Sequence, residues 1–200
     1  FKAAIRSKGN FSFRGTVDDL DRILEDIFQR EKEAIEFAIL GNQPSIDAYV
    51  LANGIIANGK FHKVNKYGVV EFKEHCYYLP AFSFMNRYSH EYAQEQKFQF
   101  KAGNTSFAEW ADLFVKAYDE KGIVGIVYAV ASVFRDIIFD SLDSFPYLFL
   151  FGDWGVGKTT YSELLLSLFY NNYKGISLEA NSTPKSIART AHKTRTIFTV

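Results

Sequence analysis

Eight consecutive residues constrain this chain more than any other feature: Gly152, Asp153, Trp154, Gly155, Val156, Gly157, Lys158 and Thr159, followed by Thr160. They match G-x-x-x-x-G-K-[ST] in full, with an additional glycine inside the loop. Each position has a physical task. Glycines let the backbone curl tightly and turn successive N–H groups toward one centre. A helix that opens at Lys158 aims its positive dipole end at the same point. The Lys158 ammonium reaches the outer phosphates of a nucleoside triphosphate. The Thr159 hydroxyl offers Mg²⁺ the oxygen ligand that this hard cation prefers. Thr160 is placed to hydrogen-bond the innermost phosphate. The pattern implies that Gly152, Gly155, Val156, Gly157, Lys158, Thr159 and Thr160 bind ATP with Mg²⁺, and that Lys158 is the candidate catalytic cation.

The surroundings agree with the motif. Residues 147–151 form a continuous apolar run after Pro146 and read as a buried parallel strand. A helix is expected from 158 to about 169, a short strand at 176–178, and a helix opened by Thr183 and Pro184 that runs to about 192. A last apolar strand is expected at 197–200. Strand, loop, helix, strand, helix, strand begins a parallel α/β sheet. Hydrolysis in this class needs an acid at the tip of a second strand. That acid is expected just past Val200, so binding without efficient hydrolysis is the expectation for these residues.

The first half reads differently. Thr16 caps a helix to about Glu31, with Asp18 and Asp19 in its first turn. Residues 34–80 read as a β-meander, punctuated by Asn53-Gly54 and Asn58-Gly59 turns. Residues 81–103 are irregular. Ser106 and Glu109 form a capping box that opens a helix through Tyr118, with Phe107, Trp110, Phe114 and Tyr118 inward. A second helix over about 122–142 follows, and its apolar run at 123–134 is too short for a bilayer and reads as buried. The fold class is therefore an incomplete parallel-sheet α/β core of the P-loop kind, preceded by an α+β domain of meander plus helix. The expected domains are 1–103 and 104–200.

Composition excludes some classes. Lys and Arg total 23 and Asp and Glu total 23, so no uniformly basic surface is available. One cysteine, Cys76, allows no disulfide framework, which makes a cytoplasmic setting the default. Phe1 in place of Met reads as a piece of a longer protein, with no signal peptide at its start and no membrane partner.

With the phosphate loop, the segments around 176–178, 181–189 and 196–200 resemble the ATPase part of primase-associated helicases of phages, plasmids and mobilisable elements. Tyr67-Gly-Val-Val-Glu-Phe, Leu79-Pro-Ala-Phe and Phe134-Arg-Asp-Ile-Ile also resemble the amino-terminal part of such proteins. The resemblance implies a ring-forming homo-oligomeric motor that moves on single-stranded DNA at replication. In that family the last strand leads into an Asp-Glu pair.

Other residues carry weaker signals. Glu179 ends the strand after the phosphate-loop helix, where some motors place a water-orienting glutamate; a solvated loop carboxylate is the simpler reading. Lys185, Arg189, His192, Lys193 and Arg195 form a basic segment, with Arg189 a candidate trans-acting finger and a solvated helix face the plain alternative. Phe61, Tyr67, Phe72, Tyr77 and Tyr78 alternate with Lys60, Lys63, Lys66 and Lys73, the composition of a stacking surface, although a sheet needs one buried face in any case. His75 and Cys76 adjoin but point to opposite faces of a strand, which disfavours a metal. Two rival functions remain open at this point: another P-loop enzyme such as a kinase, or a non-enzymatic nucleic-acid or partner-binding module in the first hundred residues.

Overall fold

The computed structural model describes residues 14–31, 33–173 and 175, together with 185, 188 and 193–195. The chain falls into two compact units, Phe1–Glu33 and Ala34–Val200. In the first, helix α1 spans Val17–Arg30. Its start is fixed reciprocally: the Asp19 N–H donates to the Thr16 hydroxyl, and the Thr16 N–H donates to Asp19 Oδ2 at 2.8 Å. The two backbone hydrogen bonds satisfy donors that a helix N-terminus leaves without partners.

The second unit is α+β. Strands β1 (Ala34–Glu36), β2 (Leu40–Gln43), β3 (Ala48–Leu51), β4 (Gly54–Ala57), β5 (Lys60–Lys63), β6 (Val69–Phe72) and β7 (His75–Tyr78) occupy the stretch expected to be a meander. β2 to β5 do meander antiparallel, in spatial order. The β6–β7 hairpin belongs to a separate sheet, where β1 joins β7 in parallel, Ile35 opposite Tyr77. A short β8 (Thr194–Arg195), which the sequence pattern did not suggest, adds in parallel to the β2 edge. The Asn58-Gly59 turn has positive φ at both residues, 50° and 69°, as a tight hairpin requires. Asn53 works otherwise. It is buried, its side-chain N–H donates to the Phe100 carbonyl at 2.8 Å, and its Oδ1 accepts the Phe100 N–H at 2.8 Å. One amide thus satisfies both backbone groups of a returning segment.

Helix α2 spans Phe107–Val133 and α3 spans Arg135–Leu142. The Ser106–Glu109 capping box is present, and Glu109 Oε2 accepts the Ser106 N–H at 2.9 Å. α2 breaks at Asp119, whose φ is 50°, close to the expected end of the first helix at Tyr118. Trp110 stacks on Phe114 at 4.9 Å and Phe114 meets Tyr118 at a tilt at 4.8 Å, while Phe107 at the start is half exposed rather than inward. Helix α4 spans Lys158–Leu166, shorter than expected.

Two sequence expectations are corrected. The apolar run of α2 is not buried throughout. Gly122, Gly125, Ala129 and Ser132 face inward, and Ile123, Val124, Val127 and Val130 are exposed. The small residues allow close approach: a Cβ on Gly125 would collide with the Tyr161 ring. Residues 147–151 form no strand. Leu148 and Leu150 pack beside Phe114 and Tyr161, whereas Tyr147 is 93% exposed and Phe149 and Phe151 are also bare. An apolar run can be buried on both faces only when neighbouring strands and helices cover both. The segments expected as its neighbours, 176–178 and 197–200, lie outside the described residues, as does most of the helix expected over 183–192. Among the described residues, no single helix is long and apolar enough to cross a membrane.

The main core gathers Val50, Ile55, Leu79 and Phe98 from the sheets and the irregular stretch, Leu166 from the end of α4, and Tyr170 and Tyr173 from the residues just after it. The Phe98 and Tyr170 rings lie 5.2 Å apart, and the Asn171 N–H donates to the Lys97 carbonyl at 2.8 Å. Burial pushes the Tyr173 hydroxyl up to about 12. α4 therefore has one end in the core of the sheets and the other at the glycine loop 152–157.

Candidate phosphate-binding site

The loop before α4 is built by three left-handed glycines. Gly152, Gly155 and Gly157 have φ of 152°, 84° and 85°. For an L-residue the left-handed conformation costs about 1–2 kcal/mol, so these positions select glycine on backbone grounds alone. Among the described residues a Cβ on Gly155 or Gly157 would touch nothing, which leaves φ as the constraint there.

Gly157 is the N-cap of α4 and provides no side-chain acceptor. The first intrahelical bond runs from the Tyr161 N–H to the Gly157 carbonyl at 2.9 Å. The N–H groups of Lys158, Thr159 and Thr160 precede it and point out of the helix end, as the geometry of a helix start dictates. Lys158 folds back over the loop, where its ammonium donates to the carbonyls of Gly152 at 2.9 Å and Asp153 at 2.6 Å. That places one positive charge and three backbone donors about a single small surface. Thr159 and Thr160 are exposed, as are Asp153, Trp154 and Val156. Such an arrangement can hold a polyanion by N–H donors, the helix end and one cation. A Mg²⁺ ion would take the Thr159 hydroxyl and complete its shell with phosphate oxygens and water, the usual habit of this cation.

The site is anchored by a residue that the sequence reading passed over. Tyr161, one turn into α4, is buried against Phe114 at 5.1 Å and Tyr118 at 4.9 Å between ring centres. Its hydroxyl donates to the Lys121 carbonyl at 2.6 Å, just past the break in α2. Burial raises the Tyr161 hydroxyl above its ordinary value. A glycine inside an apolar helix, Gly125, was the signal that could have pointed to this close approach.

The other candidates separate. Glu179, Arg189 and His192 lie outside the described residues. Lys193 is used within the chain: it forms an ion pair with the buried Glu95 at 3.0 Å and sits 5.0 Å over the Tyr92 ring. Of the aromatics in the sheets, Phe72 and Tyr77 are buried, Phe61 packs on Phe100 at 4.6 Å, Tyr78 is half-buried and Tyr67 is exposed. Comparison with protein-family models, curated proteins and solved structures returned no match.

Proposed function

We propose that residues 152–160 bind the triphosphate of ATP together with Mg²⁺, and that the chain is the nucleotide-binding part of a P-loop motor acting on nucleic acid. The observation that carries the nucleotide reading is the Lys158 ammonium folded over a loop of three left-handed glycines at an uncapped helix start. In this reading Gly152, Gly155, Val156 and Gly157 shape the cradle. Lys158 bonds the outer phosphates, Thr159 meets Mg²⁺ and Thr160 the innermost phosphate. The parallel P-loop core comes from the order of elements in the sequence, the ring of identical subunits and the single-stranded DNA track come from the resemblance, and all three are part of the proposal. They do not follow from the loop geometry.

Calorimetric titration of the chain with Mg-ATP tests the nucleotide reading. Loss of a charged hydrogen bond removes about 1.5–3 kcal/mol, so Lys158→Ala should weaken binding about 10- to 100-fold. Chelating Mg²⁺ should weaken it as well. Equal affinity of a folded Lys158→Ala variant and the parent chain would sink the reading.

A further inference from the structure

The chain is neutral overall, but its charge is unevenly placed. No Asp or Glu occurs at positions 48–70 or 75–90, and these two stretches hold Lys60, Lys63, Lys66 and Arg87. The fold brings the stretches together. The Phe84 N–H donates to the Lys66 carbonyl at 2.9 Å, and the Leu79 N–H donates to the Gly68 carbonyl at 2.8 Å. Gly68 makes the junction possible: its φ is 80°, and a Cβ there would lie 2.6 Å from the Leu79 carbonyl oxygen.

Four large side chains stand out of the protein at this junction. Tyr67 is 53% exposed, Phe84 57%, Met85 83% and Tyr88 87%. None belongs to either core cluster. Two of the rings carry cations. Lys66 Nζ lies 4.9 Å from the Tyr67 ring centre, and the Arg87 guanidinium lies 5.8 Å from that of Tyr88. This differs from the exposed aliphatic row of α2, where Ile123, Val124 and Val127 have no cation alternating with them.

A partner that uses all of these features must offer flat apolar faces at intervals along a chain of negative charges. An acidic peptide would use the cations and leave most ring faces idle. A duplex would present its phosphates but keep its base faces stacked on one another. Unpaired bases on a phosphate backbone meet both demands, because every base has a π-face and aromatic stacking tolerates any sequence. We propose that Tyr67, Phe84 and Tyr88, with Lys66 and Arg87, form a stacking platform for single-stranded nucleic acid. The platform deepens the nucleic-acid part of the proposed function, but it lies outside the phosphate loop and is argued without it, so its test and that of ATP binding fail separately.

The test is fluorescence anisotropy of a labelled oligo-deoxythymidine of about 12 nucleotides, a length within the usual single-strand site range, titrated with the whole chain. Tyr67→Ala and Tyr88→Ala should each weaken binding about tenfold. Tyr67→Phe should retain it, because the ring face survives. Removing both cations, Lys66→Gln with Arg87→Gln, should make the log–log salt dependence shallower by about 1.4, two phosphate contacts on a single strand. Lys158→Ala should leave oligonucleotide affinity unchanged while ATP affinity falls. Unaltered oligonucleotide affinity in alanine variants that melt like the parent would overturn the platform. So would a duplex of the same length binding as tightly as the single strand.

Discussion

Gly54 and Gly157 both hold positive φ, for different physical reasons. At Gly54, φ is 159° and a Cβ would stand 2.6 Å from the Phe61 ring and closer still to the His62 carbonyl, because β4 and β5 approach there. At Gly157 nothing among the described residues lies within reach, and it is the backbone conformation that excludes a side chain. The two substitutions should therefore fail in opposite ways. Gly54→Ala forces a collision in the sheet and should cost about 1–3 kcal/mol of stability, with ATP affinity retained in what still folds. Gly157→Ala should cost about 1–2 kcal/mol at most, yet it disturbs the residue that aims the Lys158 N–H, so ATP affinity should fall well beyond the change in stability. Thermal melting and calorimetric titration of both variants check this; equal losses on both measures would refute it. The loop glycines were legible in the sequence because a motif fixes their spacing. Gly54 was legible only as a turn residue, and its close approach to Phe61 depends on how two strands come together.

Helix starts were the most legible elements, since a capping box is a local pattern that needs no tertiary information. Ser106 with Glu109 forms the box that its spacing implies, and Thr16 caps its helix as expected, while the return bond from Asp19, expected only to favour the helix dipole, completes a second box. The Ser106 N–H first, and its hydroxyl second, hold the Glu109 carboxyl below its ordinary value of 4.5. A carboxylate with a depressed folded value stabilises its turn above the ordinary value and loses that contribution as pH falls through the lowered one. The Ser106 amide resonance should accordingly titrate with a midpoint below 4.5, and Glu109→Gln should abolish the titration. A midpoint at or above the ordinary value would show that the box does not persist in solution. Strand identity was less legible where it depended on neighbours. Residues 147–151 have the apolar run of a buried strand, but Tyr147, Phe149 and Phe151 are bare on one side while Leu148 and Leu150 pack on the other. Hydropathy gives the capacity for burial, and a partner supplies the burial itself. The inward and outward faces of α2 failed for the same reason: Gly125 and Ala129 were less apolar than Val124 and Val127, but only the small residues let Tyr161 come close.

Across the molecule, α4 ties the glycine loop 152–157 to the sheets. Leu166 is fully buried with Val50, Ile55 and Phe98, although more than a hundred residues separate it from β3. No local pattern could reveal that contact. Leu166→Ala should cost about 2–5 kcal/mol, the range for truncating a buried leucine. The loss should lower the melting of the sheets and of α2 together, because Leu166 and Tyr161 belong to one short helix packed on both. Circular dichroism at strand and helix wavelengths checks it; two separate transitions, one of them unaffected, would show that the tie is weak. The chain's 2 tryptophans divide the same molecule optically. Trp110 is stacked between Phe107 and Phe114, and Trp154 in the glycine loop is 99% exposed. Trp154 should emit as an aqueous indole and hardly move on unfolding, whereas Trp110 should shift to the red. A soluble quencher should silence Trp154 first. The unlabelled chain thus carries two separable lamps, one that reports its packing and one that reports what approaches its loop.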